Sequence, residues 1–222
     1  MAATRGANPR LKRTSLGRAE ADPPPALARI HEVARKQFAE RGYAATSMRD
    51  VAAEVGISIS TLFFHCSSKE QLVFDVLETS LAELSDGLRA RVDAAGPTWS
   101  ERLAAAIAFH VEFCAQQAFG TTIGKTDMRD LTPEHRAQYI EMRHEYERQF
   151  VDLIRWGIAA GEFRKVDPKL TAFAIIGVGL TVGRWFRPDG PLTAEEIAVQ
   201  YVELFVHALG AAQSPGLGWV GA

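Results

Sequence analysis

The stretch TSMRDVAAEVGISISTLFFHCSSKEQL, Thr46–Leu72, sets three helix boundaries close together. Thr46 or Ser47 is a natural N-cap for MRDVAAEV, where Met48, Val51, Ala52 and Val55 recur at spacings of three and four. Asp50 puts a carboxylate in the first turns, where the helix dipole favours it. Gly56 breaks this helix, Ser58 or Ser60 caps the next, and Ser67 with Glu70 stands in capping-box spacing before a longer one. Helices below about 12–15 residues are marginal alone, so neighbours must hold this corner. Two short helices joined at a glycine turn predict a helix-turn-helix. Its second helix turns Ile57 and Leu62 inward and leaves Ser58, Ile59, Ser60, Thr61, Phe64 and His65 on or near the outer face. Small hydroxyls bond phosphates and base edges, and an exposed Ile59 suits thymine methyls. Helix starts near Thr46–Ser47 and Ser67–Lys69 suit phosphate. Spacing alone leaves open a purely structural corner with solvated serines.

Upstream, Leu27, Ile30, Ala34 and Phe38 repeat at helical spacing, and Gly42 stops that helix. Before it, residues 1–25 carry Arg5, Arg10, Lys12, Arg13 and Arg18 and end in a proline run. This composition predicts a disordered basic arm, either a solvated tail or an arm that meets DNA phosphates. Downstream the chain is helical throughout. Ser100 is expected to cap one helix, and Thr132-Pro133, Asp167-Pro168 and Thr193 start three more. No strand alternation or internal repeat interrupts them. The expectation is an all-α protein with a helix-turn-helix domain over 26–72, a larger helical domain over 73–213 and a flexible tail over 214–222.

Composition excludes several classes. The 222 residues are 47% hydrophobic and 23% charged, with a net charge of −2, which rules out a uniformly basic coat but not a local basic patch. Cys66 and Cys114 make no disulfide framework and fit a reducing cytoplasm. The most apolar run, Leu170–Val182, is too short for a membrane span, so no membrane partner is expected. His110–Glu112 and His144–Glu147 pair acids with histidines, but neither has the i,i+4 histidines of a helical zinc site. No nucleophile elbow, P-loop or dinucleotide fingerprint is present. No catalysis, cofactor or metal is expected. Cys66 reads either as a small core filler or as a thiol switch.

FAERGYAATSMRDVAAEVGISISTLFFHCSSKEQL, Phe38–Leu72, resembles the DNA-binding domain of TetR-family transcriptional regulators. The resemblance implies a homodimer that binds a double-stranded, near-palindromic operator and is released by a small-molecule effector, most simply as a repressor. It places Thr46, Ser47 and Arg49 on a supporting helix against the DNA backbone. Ser58, Ile59, Ser60 and Thr61 take base-reading positions, with Phe64 beside them, and Phe63, His65 and Lys69 lie against phosphate. Phe63 and Phe64 replace the usual tyrosine pair, and Cys66 replaces a larger apolar residue.

The C-terminal half, with AGEFRKVDPKLTAFAIIG (Ala160–Gly177) and RWFRPDGPLTAEEIAVQYVELFVHALG (Arg184–Gly210), is similar to a subgroup that answers to acyl-CoA thioesters in lipid metabolism. Leu180-Thr181 and Gly183 depart from its bulky pattern. Aromatics on the middle helices, Phe109, Phe113, Phe119, Tyr146, Phe150, Phe173 and Trp185, together with Met142 and Arg143, are the candidate effector contacts; most such aromatics are core. Gly179 and Gly183 stand one turn apart near Ile175 and Phe186, and the last helix offers Val202, Phe205, Val206 and Leu209. These make either a dimer contact of close-packed helices or an intramolecular core.

Overall fold

The computed structural model describes residues 25–116 and 130–210. The expected arm before the first helix, the tail over 214–222 and Phe119 lie outside the described residues. Within them the chain forms α1 Pro25–Arg41, α2 Met48–Val55, α3 Ile59–His65, α4 Lys69–Ala94, α5 Trp99–Gln116, α6 Pro133–Ala159, α7 Pro168–Trp185 and α8 Ala194–Leu209. Pro25 belongs to α1 rather than to the arm, because a proline is favourable in the first turn, where its missing N–H costs nothing.

Local chemistry fixes each start. Ser47, not Thr46, caps α2: its hydroxyl accepts from the Asp50 N–H, and the Asp50 carboxylate accepts from the Ser47 N–H. Gly56 ends α2 at φ 83°, a left-handed turn that a β-carbon would strain, and its N–H reaches Ala52 and Ala53 carbonyls. Ser58 caps α3 and Ser68, rather than Ser67, caps α4. Ser100 lies inside α5, and Thr98 and Glu101 make the reciprocal cap there. Thr132, Asp167 and Thr193 cap α6, α7 and α8 as their sequences predict.

The corner is held by burial. Ile30, Val33, Ala34 and Phe38 of α1 enclose Val51 and Ala52 of α2 and Leu62 of α3, and Leu72, Val73 and Val76 of α4 close the other side. Fully burying one such aliphatic side chain is worth about 1.5–3 kcal/mol, which is how a helix as short as α3 persists. Helix α5 is the centre of the larger domain, packed by α4, α6, α7 and α8. Buried Gln149 donates to Ser85 Oγ at 2.6 Å, tying α6 to α4. After α6 the chain folds back, and Phe163 and Gly210 form an antiparallel bridge beside the end of α8. Glu162 in that connection accepts from the Trp99 and Ser100 N–H groups at 3.1 and 2.9 Å, supplying α5 with a second, long-range cap.

Candidate nucleic-acid interface and ligand cavity

The outer face of the α2–Gly56–α3 corner carries Ser47, Arg49, Ser58, Ser60, Thr61, Phe63 and Phe64, all exposed. Phe64 is 86% exposed and Phe63 48%, a costly display for aromatic side chains that nothing in the core requires. His65 is half-buried at the end of α3, edge-on to Phe64 at 5.5 Å. The Ser58 and Thr61 hydroxyls bond each other at 2.8 Å, which fixes the geometry of the helix start. Lys69 is held in place rather than waving in solvent: its ammonium sits 4.2 Å from the Tyr43 ring centroid and donates to the Ala44 carbonyl at 3.5 Å. Partial burial lowers the Lys69 pKa, with Asp130 acting the other way.

Two expected contacts do not stand on this face. Thr46 is buried, and its hydroxyl donates to the Gly42 and Gln37 carbonyls at 2.9 and 3.2 Å, so it locks the end of α1 instead of facing outward. Ile59 is half-buried and packs on the core, because the first turn of α3 leans its apolar residue inward. Sequence reading missed Tyr43, whose ring forms the floor under Lys69 and stacks on Phe38 at 6.1 Å. Its place after the Gly42 turn was the available signal.

In the larger domain a cavity of about 50 Å³ opens among α4, α5, α6 and α7, lined by Leu81, Leu84, His110, Tyr139, Arg143, Tyr146, Glu147, Ile176 and Leu180. His110 is wholly buried; Tyr146 donates its hydroxyl to His110 Nδ1 at 2.8 Å, and His110 Nε2–H donates to the Ile176 carbonyl at 3.1 Å. Nδ1 thus accepts and Nε2 donates, the neutral tautomer. Burial pushes the His110 pKa down to about 4, against the opposing pull of the Ile176 carbonyl. Burial likewise raises the pKa of the Tyr139 hydroxyl, which has no hydrogen-bond partner among the described residues.

Of the expected effector contacts, the structure brings Arg143 and Tyr146 to the cavity. Met142 and Phe150 are buried core. Phe109 and Phe113 are half-buried, with ring centroids 5.6 Å apart, and Phe109 presses on Gly87 of α4. Phe173 and Trp185 stand on the outside of α7, 43% and 49% exposed. Several of the residues expected at a dimer contact are likewise taken up inside the chain. Ile175, Gly179 and Gly183 are buried within the chain, and a β-carbon on Gly179 would overlap the His110 ring, so this glycine admits α5. Leu209 is buried; Phe186, Val202, Phe205 and Val206 are half-buried. His110, the centre of the cavity wall, was legible only as a lone histidine on an apolar stripe, since its partner Tyr146 lies on another helix.

Comparison with known proteins agrees with this anatomy. Residues 30–76 match the family described as bacterial regulatory proteins, tetR family, and residues 96–209 match the tetracyclin repressor-like C-terminal domain. The chain belongs to the TetR family of bacterial transcriptional regulators. It is 35% identical over 176 residues to the HTH-type transcriptional repressor KstR2 of Mycobacterium tuberculosis, covering 78% of this chain and 87% of that one. A TetR-family regulatory protein from Rhodococcus RHA1 superposes with a TM-score of 0.77 at 29% identity, over 86% of this chain and all (100%) of the other. AibR, solved with isovaleryl coenzyme A and operator DNA, superposes with a TM-score of 0.71 at 28% identity, over 81% of this chain and 97% of its own. The TetR-family chain described here is accordingly a helix-turn-helix DNA-binding transcriptional regulator, all-α as its sequence predicts. No helix among the described residues is long and apolar enough to cross a membrane.

Proposed function

We propose that this TetR-family regulator is a dimeric repressor that leaves a near-palindromic operator when an acyl-CoA thioester or a similar lipid-derived molecule enters the cavity beneath His110. The observation that carries this reading is the continuity of α4. One 26-residue helix supplies Leu72, Val73 and Val76 to the DNA-binding domain and Leu81 and Leu84 to the cavity wall. A helix of that length spans about 39 Å and transmits a tilt as a rigid rod. At about 50 Å³ the cavity holds no more than a few waters, whereas ligand sites run to about 300–1,000 Å³. Effector entry therefore requires α6 or α7 to part from α4, and only an effector that favours the parted state shifts the equilibrium. KstR2 is named as a repressor and AibR was solved with an acyl-CoA, which supports the choice of output and effector class.

On the DNA side Ser58, Ser60 and Thr61 read base edges, while Ser47, Arg49, His65 and Lys69 position the backbone, and Phe63 and Phe64 pack along the sugar edge. The dimer contact lies one step around α7 from the face its glycines suggested: Leu170, Phe173, Gly177, Thr181 and Trp185 form an exposed stripe, continued by exposed Val199 on α8. Footprinting on genomic fragments, repeated with a panel of acyl-CoAs, tests the reading. A protected near-palindrome lost with one class of thioester is expected. Protection indifferent to every thioester overturns the effector class, and an absence of any preferred fragment overturns the repressor.

A further inference from the structure

A second polar cluster lies in the DNA-binding domain, where α1, the end of α3 and α4 meet. His31 of α1, Cys66 at the C-cap of α3 and Asp75 of α4 bring one nitrogen, one sulfur and one oxygen donor within 4.8 Å of one another. Cys66 is buried, and His31 and Asp75 are half-buried. We propose that these three side chains bind a single Zn²⁺ ion that clamps the recognition helix to α1 and α4.

Four observations support the site. Donor chemistry comes first: thiolate, imidazole and carboxylate together are a zinc set, with three protein ligands leaving a fourth position to water. Geometry is second. Donors at about 2.0–2.3 Å on a tetrahedral ion stand about 3.3–3.8 Å apart, so the cluster closes with rotamer shifts of about an ångström rather than backbone movement. Third, His31 Nε2 is buried and has no hydrogen-bond partner among the described residues, a need that a bound ion would meet. Fourth, Asp75 is already oriented: Gln71 Nε2 donates to its Oδ1 at 2.7 Å, leaving the other oxygen for the ion.

Charge closes the account. A thiolate and a carboxylate neutralise a divalent ion, so the occupied site is buried without net charge. The nearby Arg35 guanidinium is answered by a two-pronged bond to Glu83 at 3.1 and 3.2 Å. Without metal, burial pushes the Cys66 thiol up to about 11, with Asp75 adding in the same direction, so the thiol is inert. Zn²⁺ binding forms the metal–sulfur bond and releases that thiol proton to solvent.

The test uses full-length protein stripped with chelator and titrated with Co²⁺, then Zn²⁺. The expected result is thiolate-to-cobalt charge-transfer absorption with a tetrahedral visible envelope, saturating at a single ion per chain and bleached by Zn²⁺. Zn²⁺ should also raise the melting temperature of the wild type. Cys66→Ser and His31→Gln should lose the charge-transfer signal or weaken affinity at least about 10-fold, while Cys114→Ser keeps both. Asp75→Asn covers the case in which Cys66→Ser folds poorly, since it keeps the thiol and should still bind at least about 10-fold more weakly. No charge-transfer band in the wild type, or a band lost in Cys114→Ser and kept in Cys66→Ser, overturns the proposal.

Discussion

At the scale of single residues, His110 shows how burial becomes pH dependence. The unfolded chain takes up a proton as pH falls below the ordinary histidine value of 6.5, while folded His110 stays neutral down to about 4. Its contribution to stability is intact above 6.5, declines between 6.5 and 4, and levels off below, a loss of about 3 kcal/mol. Urea midpoints of the wild type should therefore fall more steeply from pH 7 to pH 4.5 than those of His110→Gln. Parallel curves would show that the histidine is not buried neutral. Gly179 and Gly177 form a matched pair two positions apart. Gly179→Ala collides with the His110 ring, itself tied to the Ile176 carbonyl, and should cost about 1–3 kcal/mol. Gly177 has open space around it, so Gly177→Ala should leave the monomer unharmed or firmer by about 0.5–1 kcal/mol. Thermal melts of the two variants check the ordering.

At the scale of elements, caps and corners decide most of what the sequence reveals. Thr132, Asp167 and Thr193 are legible because each is followed at once by a proline or an acid in the first turn. The start of α5 is not, since half of its cap comes from Glu162, on a loop that only folding brings near. Glu162→Ala should cost about 1–2 kcal/mol and loosen that first turn, visible as faster amide exchange at Trp99 and Ser100. Exchange as slow as in the wild type would mean that Thr98 and Glu101 cap the helix unaided. In the recognition corner, Lys69→Ala should weaken binding to all sequences alike and reduce the salt slope by about 1, whereas Thr61→Ala should change base preference by about 1–3 kcal/mol. A Lys69→Ala defect confined to one operator variant would contradict a phosphate role.

At the scale of the whole molecule, the alternating apolar spacings and turn residues made the helix order readable, but not which side of a helix meets which neighbour. On α7, small residues recur on two faces: Gly179 and Gly183 inward, with Gly179 against α5, and Gly177 and Thr181 outward. Periodicity cannot tell them apart, because the choice rests on His110, an α5 side chain. The effector contacts divide likewise: Phe150 and Met142 fill the core, whereas Arg143 and Tyr146 reach the cavity, where His110, Tyr139 and Glu147 join them. With the proposed contact on the outer face of α7, Phe173→Asp should halve the mass seen in sedimentation and lower operator affinity at least about 10-fold with the helical spectrum unchanged. An intact dimer would move the contact elsewhere.

Glu70, in the first turn of α4, accepts from the Thr132 N–H at 2.9 Å and from His135 Nδ1 at 2.8 Å, and the His135 ring lies 4.0 Å over Phe74. The start of α6 is thereby moored to the same turn that bears Lys69. Whatever displaces α6 pulls on that turn, and thermodynamic reciprocity makes the traffic two-way. Operator fragments added to the protein would reduce its appetite for the inducer by the same factor by which the inducer loosens its hold on the operator, so a cell's stock of binding sites sets the threshold at which the switch responds.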